Sequence, residues 1–479
     1  MLLCVCLLLS LLCVTANAIN VDEYAMDEIP VLPREVYIKG QMWLSASNRA
    51  ETMDVSMYNL GEDEAEMMLD EIVEKSSYLL DTKLRYKLVV DGSYVKSIIF
   101  TYRDSGSYSA MSSEVAAEID RILSVVDDSM SDLEKALAVN DYFCTNYSYD
   151  LSKPYNFTME ELLESKTGVC QAYALAYYYI LNDCLDIDCA LVTSDPMVHM
   201  WNAIKIDGEW YHVDVTWNDP VSDMPGRARH KYFVKSSSDF LSGGSDERHY
   251  GWKFKGKNYN SDQNLDIECS SDKYDDYFWN DIDTQILFDD EHYYYIGYSD
   301  EENSSGNCCV LKKDKSSGKT NELFEINDYW FVWGSSNTVY ANKFSTLAKF
   351  DDLIAVNTTD TVFVIDTDGK VCQKYDLAND KSDANIYFLQ ISGNNIKCTM
   401  SRDLVQFGIE DEISFKLTPG DAQVRDINGD SEVSSDDTNL LSEYFTGWSR
   451  YFNIMSADLN KDGKLNRLDL LLFAQSIAD

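Results

Sequence analysis

The stretch VHMWNAIKIDGEWYHVDVTW, residues 198–217, alternates apolar and polar residues on either side of Asp207-Gly208. A two-residue Asp-Gly loop between alternating runs is the strongest short signal for a β-hairpin, because both positions tolerate the positive φ that the tight turn needs. The loop sets the register. Ile206 faces Glu209, Trp201 faces Asp214, and His199 faces Thr216. The side-chain period of two then sends Val213 and Val215 to the core face and leaves His199 and Asp214 together on the other. As diagonal neighbours they are roughly 7 Å apart at the backbone, a gap that side chains bridge. His212 shares that face two positions further along and is the competing base. A half-exposed polar pair without chemistry is the plain alternative for His199 and Asp214.

Upstream, TGVCQAYALAY starts at Thr167, an N-cap candidate followed by good helix formers, with Ala172, Ala176 and Tyr179 expected inward. Cys170 then falls in the first helical turn, where N–H groups and the helix dipole stabilise a thiolate and can donate to an oxyanion. Taken alone, such a cysteine is more often a buried structural residue. Together with the hairpin it gives a sulfur nucleophile, an imidazole to take its proton and a carboxylate to steady the imidazolium.

Around this centre the chain reads as several domains. Roughly 100–200 residues per domain allow two to four in 479 residues. Residues 19–110 are mixed: a helix over Asp63–Ser77, then strands Leu84–Val90 and Tyr94–Tyr102 joined across Asp91-Gly92. Ser113–Val126 and Asp132–Phe143 have the apolar spacing of amphipathic helices. Residues 111–260 hold the Cys-His-Asp constellation. Over 268–418 the texture changes to aromatic and β-branched residues alternating with polar ones, and the reading is three antiparallel units, propeller-blade-like or a sandwich. Their aromatics form either the packed core or an exposed binding face. The expected fold class is therefore multidomain: an α+β core, an all-β domain and a small all-α domain.

That last domain, 421–479, carries the clearest repeat. Asp426, Asn428, Asp430, Glu432, Ser434 and Asp437 stand at positions 1, 3, 5, 7, 9 and 12 of a loop. Asp458, Asn460, Asp462, Lys464, Asn466 and Asp469 repeat the pattern. Hard oxygens at this spacing suit calcium, one ion per loop, and position 7 serves through its carbonyl, so Glu432 and Lys464 are both acceptable there.

Lys+Arg total 40 against 82 Asp+Glu, a formal net charge of −42, which disfavours nucleic acid and anionic membrane surfaces as partners. Residues 1–18, MLLCVCLLLSLLCVTANA, read as a secretory signal ending in a small-x-small site at Ala16-Asn17-Ala18. The basic residue expected before such a region is missing, so the true start is expected upstream, and Leu12 before Cys13 argues against a lipoprotein signal. No later apolar run is long enough to span a membrane. Three of the 12 cysteines lie in the signal, which leaves an odd number and at least one free thiol; Cys184/Cys189 and Cys308/Cys309 read as bridged or reduced alike.

The residues around the cysteine, VHMWNAIKIDGEWYHVDVTWNDP and LEKALAVNDYFCTNYSYD together resemble the transglutaminase-like superfamily, related to papain-type cysteine peptidases, over about residues 110–235. The resemblance implies a Cys170, His199, Asp214 triad, flanking substrate positions at Trp201 and Trp217, and catalysis without a metal. Gln171 is a candidate substrate contact, and Gln171 and Tyr155 are the candidates for a side-chain oxyanion donor. Ala172 stands where many relatives have glycine. The implied activity is acyl transfer from a protein or peptide amide to water or to an amine.

Residues 421–479 resemble a type I dockerin, the module that plugs cargo into the cohesin domains of a scaffoldin. This implies a secreted, scaffold-docked protein of the cellulosome type, with cohesin contacts at Ser435, Asp436, Arg467 and Leu468. Because those positions differ between the repeats, symmetric dual binding is not expected; Ser431 also departs from the usual glycine. Two alternatives stand beside the enzyme reading: an inactive transglutaminase-like adaptor, and an accessory protein of polysaccharide degradation.

Overall fold

The computed structural model describes residues 31–75, 84–102, 112–153, 156–219, 221, 223–244, 247–256, 265–300, 305–326, 328, 330, 344–350, 352–377, 384–402, 408–417, 425–430, 432–447, 450–462 and 464–478. The expected signal at 1–18, Tyr155 and Ser431 lie outside them. The chain divides into two compact units, one from Glu28–Asp223 and Ala228–Asp281, the other from Met224–Arg227 and Ile282–Asp479.

In the first unit, α1 (Arg34–Ser47) and α2 (Glu62–Lys75) accompany a small antiparallel sheet of β1 (Thr52–Asp54), β3 (Tyr94–Thr101) and β2 (Arg85–Asp91). Asp91 pairs with Tyr94, so the turn is Gly92-Ser93, one residue later than expected; Gly92 takes the positive φ of 67°. Helices α3 (Ser113–Leu123) and α4 (Asp132–Asn146) follow. At the start of α4, Ser131 Oγ accepts from the Glu134 N–H and Glu134 accepts from the Ser131 N–H, a reciprocal cap that satisfies two otherwise orphaned donors. After β4 (Ser148–Tyr149), α5 (Met159–Ser165) and β5 (Thr167–Gly168) comes α6 (Cys170–Tyr178). Its Ala172, Ala174 and Ala176 are small enough to let the backbone approach its neighbours, and the helix is buried almost all round.

The main sheet is antiparallel, ordered β8 (Glu209–Val213), β7 (His199–Ile206), β6 (Cys189–Ser194) and β9 (Trp252–Lys255), with the short helices α7 (Val215–Asn218) and α8 (Ser237–Leu241) between β8 and β9. Strand β7 is buried at every position except the half-buried Lys205. Helix α6 lies against it, with Asn202 Nδ2 donating to the Ala174 carbonyl at 3.0 Å. Trp201 and Ala203 join Trp217, Tyr232, Phe240 and Phe254 in an aromatic core. A strand covered on both faces keeps polar side chains only where they find partners.

The second unit contains three antiparallel meanders in chain order: β10 (Leu287–Phe288) to β13 (Thr320–Glu325) with β11 (His292–Asp300) and β12 (Ser305–Asp314); β14 (Leu347–Phe350), β15 (Leu353–Asn357), β16 (Thr361–Ile365) and β17 (Val371–Asp376); and β18 (Asn385–Ser392), β19 (Asn395–Ser401) and β20 (Asp411–Lys416). The three expected antiparallel units are these sheets. Tyr294, Trp330, Tyr375 and Tyr387 are buried in their cores, so much of the aromatic pattern reports packing. Helices α9 (Ser435–Phe445), α10 (Ile454–Ala457) and α11 (Arg467–Ala478) close the chain around Ile427, Leu441, Phe452, Ala457 and Phe473. The nine cysteines from Cys144 to Cys398 are free thiols.

Candidate active site

Cys170 is the first residue of α6. The residue before it, Val169, has extended backbone and offers no side-chain cap, because Thr167 is drawn into β5 and pairs with Ser148 instead of capping the helix as expected. The Ala172 and Tyr173 N–H groups bond the Val169 carbonyl at 2.8 and 3.2 Å, which leaves those of Cys170 and Gln171 as the first-turn donors available to a developing oxyanion. Tyr173 and Tyr177 anchor the helix through bonds from their hydroxyls to Asp219 (2.5 Å) and to the Ala136 carbonyl (2.8 Å).

The hairpin register is as expected from Ile206/Glu209 to Asn202/Val213. There β8 ends. The Trp201/Asp214 and His199/Thr216 pairs do not form, and Val215 and Trp217 enter α7 instead of continuing the strand. Asp214 is the N-cap of that helix, its Oδ1 accepting from the Trp217 N–H at 3.1 Å. Its Oδ2 lies 2.5 Å from His199 Nε2 and 2.8 Å from His249 Nε2. His199 also hydrogen-bonds the Cys170 side chain. Nε2 being engaged by Asp214, Nδ1 is the nitrogen left to face the sulfur. Cys170, His199 and Asp214 are 1%, 4% and 0% exposed, so the constellation is a desolvated one rather than the half-exposed pair considered as an alternative.

Burial opposes charge on His199, but the Asp214 carboxylate and the Cys170 thiol outweigh it and lift the imidazole to about 10. Burial also disfavours charge on Asp214, yet His199 and His249 hold its carboxyl far below the usual range. His249 goes the other way: burial, reinforced by the charge on His199, pushes it down to about 4 despite the bond to Asp214. At neutral pH the arrangement is therefore a charged His199, an ionised Asp214 and a neutral His249 donating through Nε2.

His212, the competing base, is excluded by its partners. Its Nδ1 accepts from Trp201 Nε1 at 3.1 Å, its Nε2 meets Ser237 Oγ at 3.1 Å, and burial pushes it down to about 3. Trp201 and Trp217 both stack near the imidazole, with ring centroids 5.5 and 5.1 Å from that of His199. Both are buried, so they wall the imidazole with apolar surface. Gln171 is not placed to meet a substrate: its Nε2 donates to the carbonyls of Gly40 (3.1 Å) and Phe157 (3.2 Å), and its Oε1 accepts from Gln41 (3.1 Å). Gly40 is required there, since a Cβ would stand 2.6 Å from Gln171 Oε1.

Two residues escaped the sequence reading. His249 lies just ahead of β9 in HYGW, where no periodicity ties it to Asp214. Tyr149 pairs with Gly168 in the β4–β5 bridge, its hydroxyl buried, without a hydrogen-bond partner among the described residues and within electrostatic reach of Cys170. The YSYD run beside it was the available signal.

The C-terminal loops bring their expected ligands together. In the first, Asp426 Oδ1 accepts from the N–H groups of Gly429 and Asp430, while Asp437 Oδ1 accepts from Ile427 and its Oδ2 from Ser434. In the second, Asp458 Oδ1 accepts from Asp462, and Asp469 accepts from Leu459 and Asn466. Asp430 and Asp462 receive the amides of Asn428 and Asn460 and the N–H groups of Glu432 and Lys464. Asp437 and Asp469 are completely buried, yet among the described residues they meet only backbone donors and no cationic side chain. Buried carboxylates of that kind call for a cation, and the all-oxygen donor set fits calcium. Ser435, Asp436, Arg467 and Leu468 are exposed at the starts of α9 and α11.

Residues 120–215 match the family model of the transglutaminase-like superfamily, and residues 424–478 match that of the dockerin type I domain. Among solved structures, one described as "Crystal structure of a TGase" is similar, at 14% identity and a TM-score of 0.20, over 33% of this chain and 48% of that one. The chain thus spans about half the length of that structure. No curated protein matches.

Proposed function

With a transglutaminase-like core and a type I dockerin in one chain, we propose a scaffold-docked cysteine acyl-transfer enzyme acting on protein or peptide amide bonds. The observation that carries this reading is the buried chain from the Cys170 thiol through His199 to Asp214, with the 2.5 Å Nε2–Oδ2 contact at its end.

The Cys170 thiolate attacks the amide carbonyl, forming a C–S bond. Charge on the carbonyl oxygen is met by the N–H groups of Cys170 and Gln171 at the head of α6. His199 gives its proton to the departing nitrogen as the C–N bond breaks, leaving a thioester. Water or a substrate amine then attacks the thioester, His199 takes the proton, and the C–S bond breaks to regenerate the Cys170 thiolate. Asp214 keeps the imidazole in the tautomer that points Nδ1 at sulfur. The buried rings of Trp201 and Trp217 beside the imidazole help to keep water from it.

Calcium would be held by Asp426, Asn428, Asp430, Ser434 and Asp437, with the Glu432 carbonyl, and by Asp458, Asn460, Asp462, Asn466 and Asp469, with the Lys464 carbonyl. There it would neutralise the buried carboxylates of Asp437 and Asp469, which meet only backbone donors among the described residues. The exposed Ser435, Asp436, Arg467 and Leu468 are the proposed contacts with a cohesin domain of a scaffoldin, and export through residues 1–18 brings the chain to it. Among the described residues no helix is long and apolar enough to cross a membrane.

The test is incubation of the full chain with a casein-type protein and a tagged primary amine, reading cleavage and amine incorporation together. Either product, lost in Cys170→Ser, supports the proposal. Identical results with wild type and Cys170→Ser sink it.

A further inference from the structure

We propose that His249 is a positioning residue of this site: a second imidazole that grips the same oxygen of Asp214 as His199 does and so fixes the carboxylate between two rings. The inference rests on the acyl-transfer reading above and deepens it.

Four observations carry it. Asp214 Oδ2 receives Nε2 of His199 at 2.5 Å and Nε2 of His249 at 2.8 Å. His249 is 0% exposed and its backbone is tied by an N–H bond to the Phe240 carbonyl at 2.7 Å. Its ring lies against Trp217 and Phe240, both with centroids 4.1 Å away, and edge-on to Trp201 at 4.8 Å. Its Nδ1 is buried without a partner among the described residues. That nitrogen is unpaired with or without the proton, so the tautomers differ at Nε2, where only an N–H can bond the carboxylate. The tautomer is therefore set by Asp214.

The consequence is electrostatic as well as geometric. A carboxylate oxygen that accepts two N–H bonds spreads its charge over both, so it draws the His199 proton less strongly than it would alone. An imidazolium bound too tightly is a poor acid toward the departing amine. His249 is thus placed to keep His199 both oriented and able to give up its proton. The titratable groups facing Asp214 and His249 are His199 on β7, His212 on β8 and Tyr232 between β8 and β9; beyond His199 lies Cys170 on α6, which Tyr149 on β4 faces in turn.

Alkylation of Cys170 by iodoacetamide, followed from pH 5 to 11 by peptide mass spectrometry on the full chain, tests the assignment without knowledge of the substrate. In wild type the alkaline transition reports His199. His249→Phe keeps a ring in the aromatic cage but removes the donor, and it should move that transition up by about one pH unit. His249→Gln restores a donor at the Nε2 position and should return it. A His249→Phe profile that superimposes on wild type, or moves down, overturns the proposal, as does a well-folded His249→Gln that behaves like His249→Phe. Absence of any His199-dependent transition in wild type would instead count against the acyl-transfer reading itself. Should His249→Phe fail to fold, nitrogen NMR of wild type labelled at its five histidines decides: the proposal requires His249 neutral and protonated on Nε2 from pH 5 to 9, and a cationic or Nδ1–H form overturns it.

Discussion

The Oδ2 atom of Asp214 lies 2.5 Å from His199 Nε2 while the Oδ1 atom of the same carboxylate caps α7 through the Trp217 N–H. One side chain thus fixes the imidazole and the helix that carries one of its two stacking tryptophans. Loss of the charge and loss of the cap are separable by substitution.

Asp214→Asn retains a good capping residue but no counter-charge for His199. Amine incorporation or peptide cleavage should fall about 10³–10⁴-fold, by analogy with removal of the charged partner in other acid–base triads. Circular dichroism should show little change in helix content. An equal loss of fold and activity would mean that the buried carboxylate charge holds the fold as well as the imidazole, and unchanged activity would refute the role given to that charge.

Gly40→Ala places a methyl group against the Gln171 amide, which cannot withdraw because both its donors are committed to backbone carbonyls. The expected cost is about 1–3 kcal/mol. It should appear as a lower urea midpoint with an unchanged slope.

Stability should peak near neutral pH. His199 is raised in the folded state, so it binds its proton more tightly there; that stabilisation is complete below its ordinary value of 6.5 and is lost as pH rises toward about 10. His249 and His212 are lowered to about 4 and about 3, so the unfolded chain takes up protons first and stability falls as pH drops below 6.5. Each such group contributes a slope of about 1.4 kcal/mol per pH unit within its window. Urea unfolding across pH 4–10 measures both limbs, and His199→Gln should flatten the alkaline one.

Chelation of calcium should remove the counter-charge from Asp437 and Asp469 and melt α9 and α11. Isothermal titration of the chelated full chain should then find two calcium sites, reduced to one in Asp437→Ala, with cohesin capture lost in parallel. A chelated chain that keeps its helices and its cohesin binding would refute the role given to these loops.

Much of this architecture is written in short-range pattern. The Asp207-Gly208 turn sets a register that holds down to Asn202/Val213, the helix-forming run after Val169 puts Cys170 in a first turn, and the alternating oxygens from Asp426 and Asp458 outline two loops. These features depend on dihedral preference and side-chain period, which neighbouring residues decide between themselves. What periodicity could not say was where the pattern stops. Strand β8 ends at Val213 because Asp214 finds a better use for its carboxylate as a cap, and nothing local announces that choice.

The amino-acid sequence by itself marked out Cys170, His199, Asp214 and the two oxygen-rich loops as candidates, since each sits in a motif whose spacing carries its own physical reason. Only the tertiary structure decided that His249 joins Asp214, that Tyr149 approaches Cys170, that Gln171 ties α6 to α1, and that His212 is spoken for by Trp201 and Ser237. Those contacts join segments far apart along the chain. They are set by which buried polar atoms must find partners once the core has closed, a condition that exists only in the folded molecule.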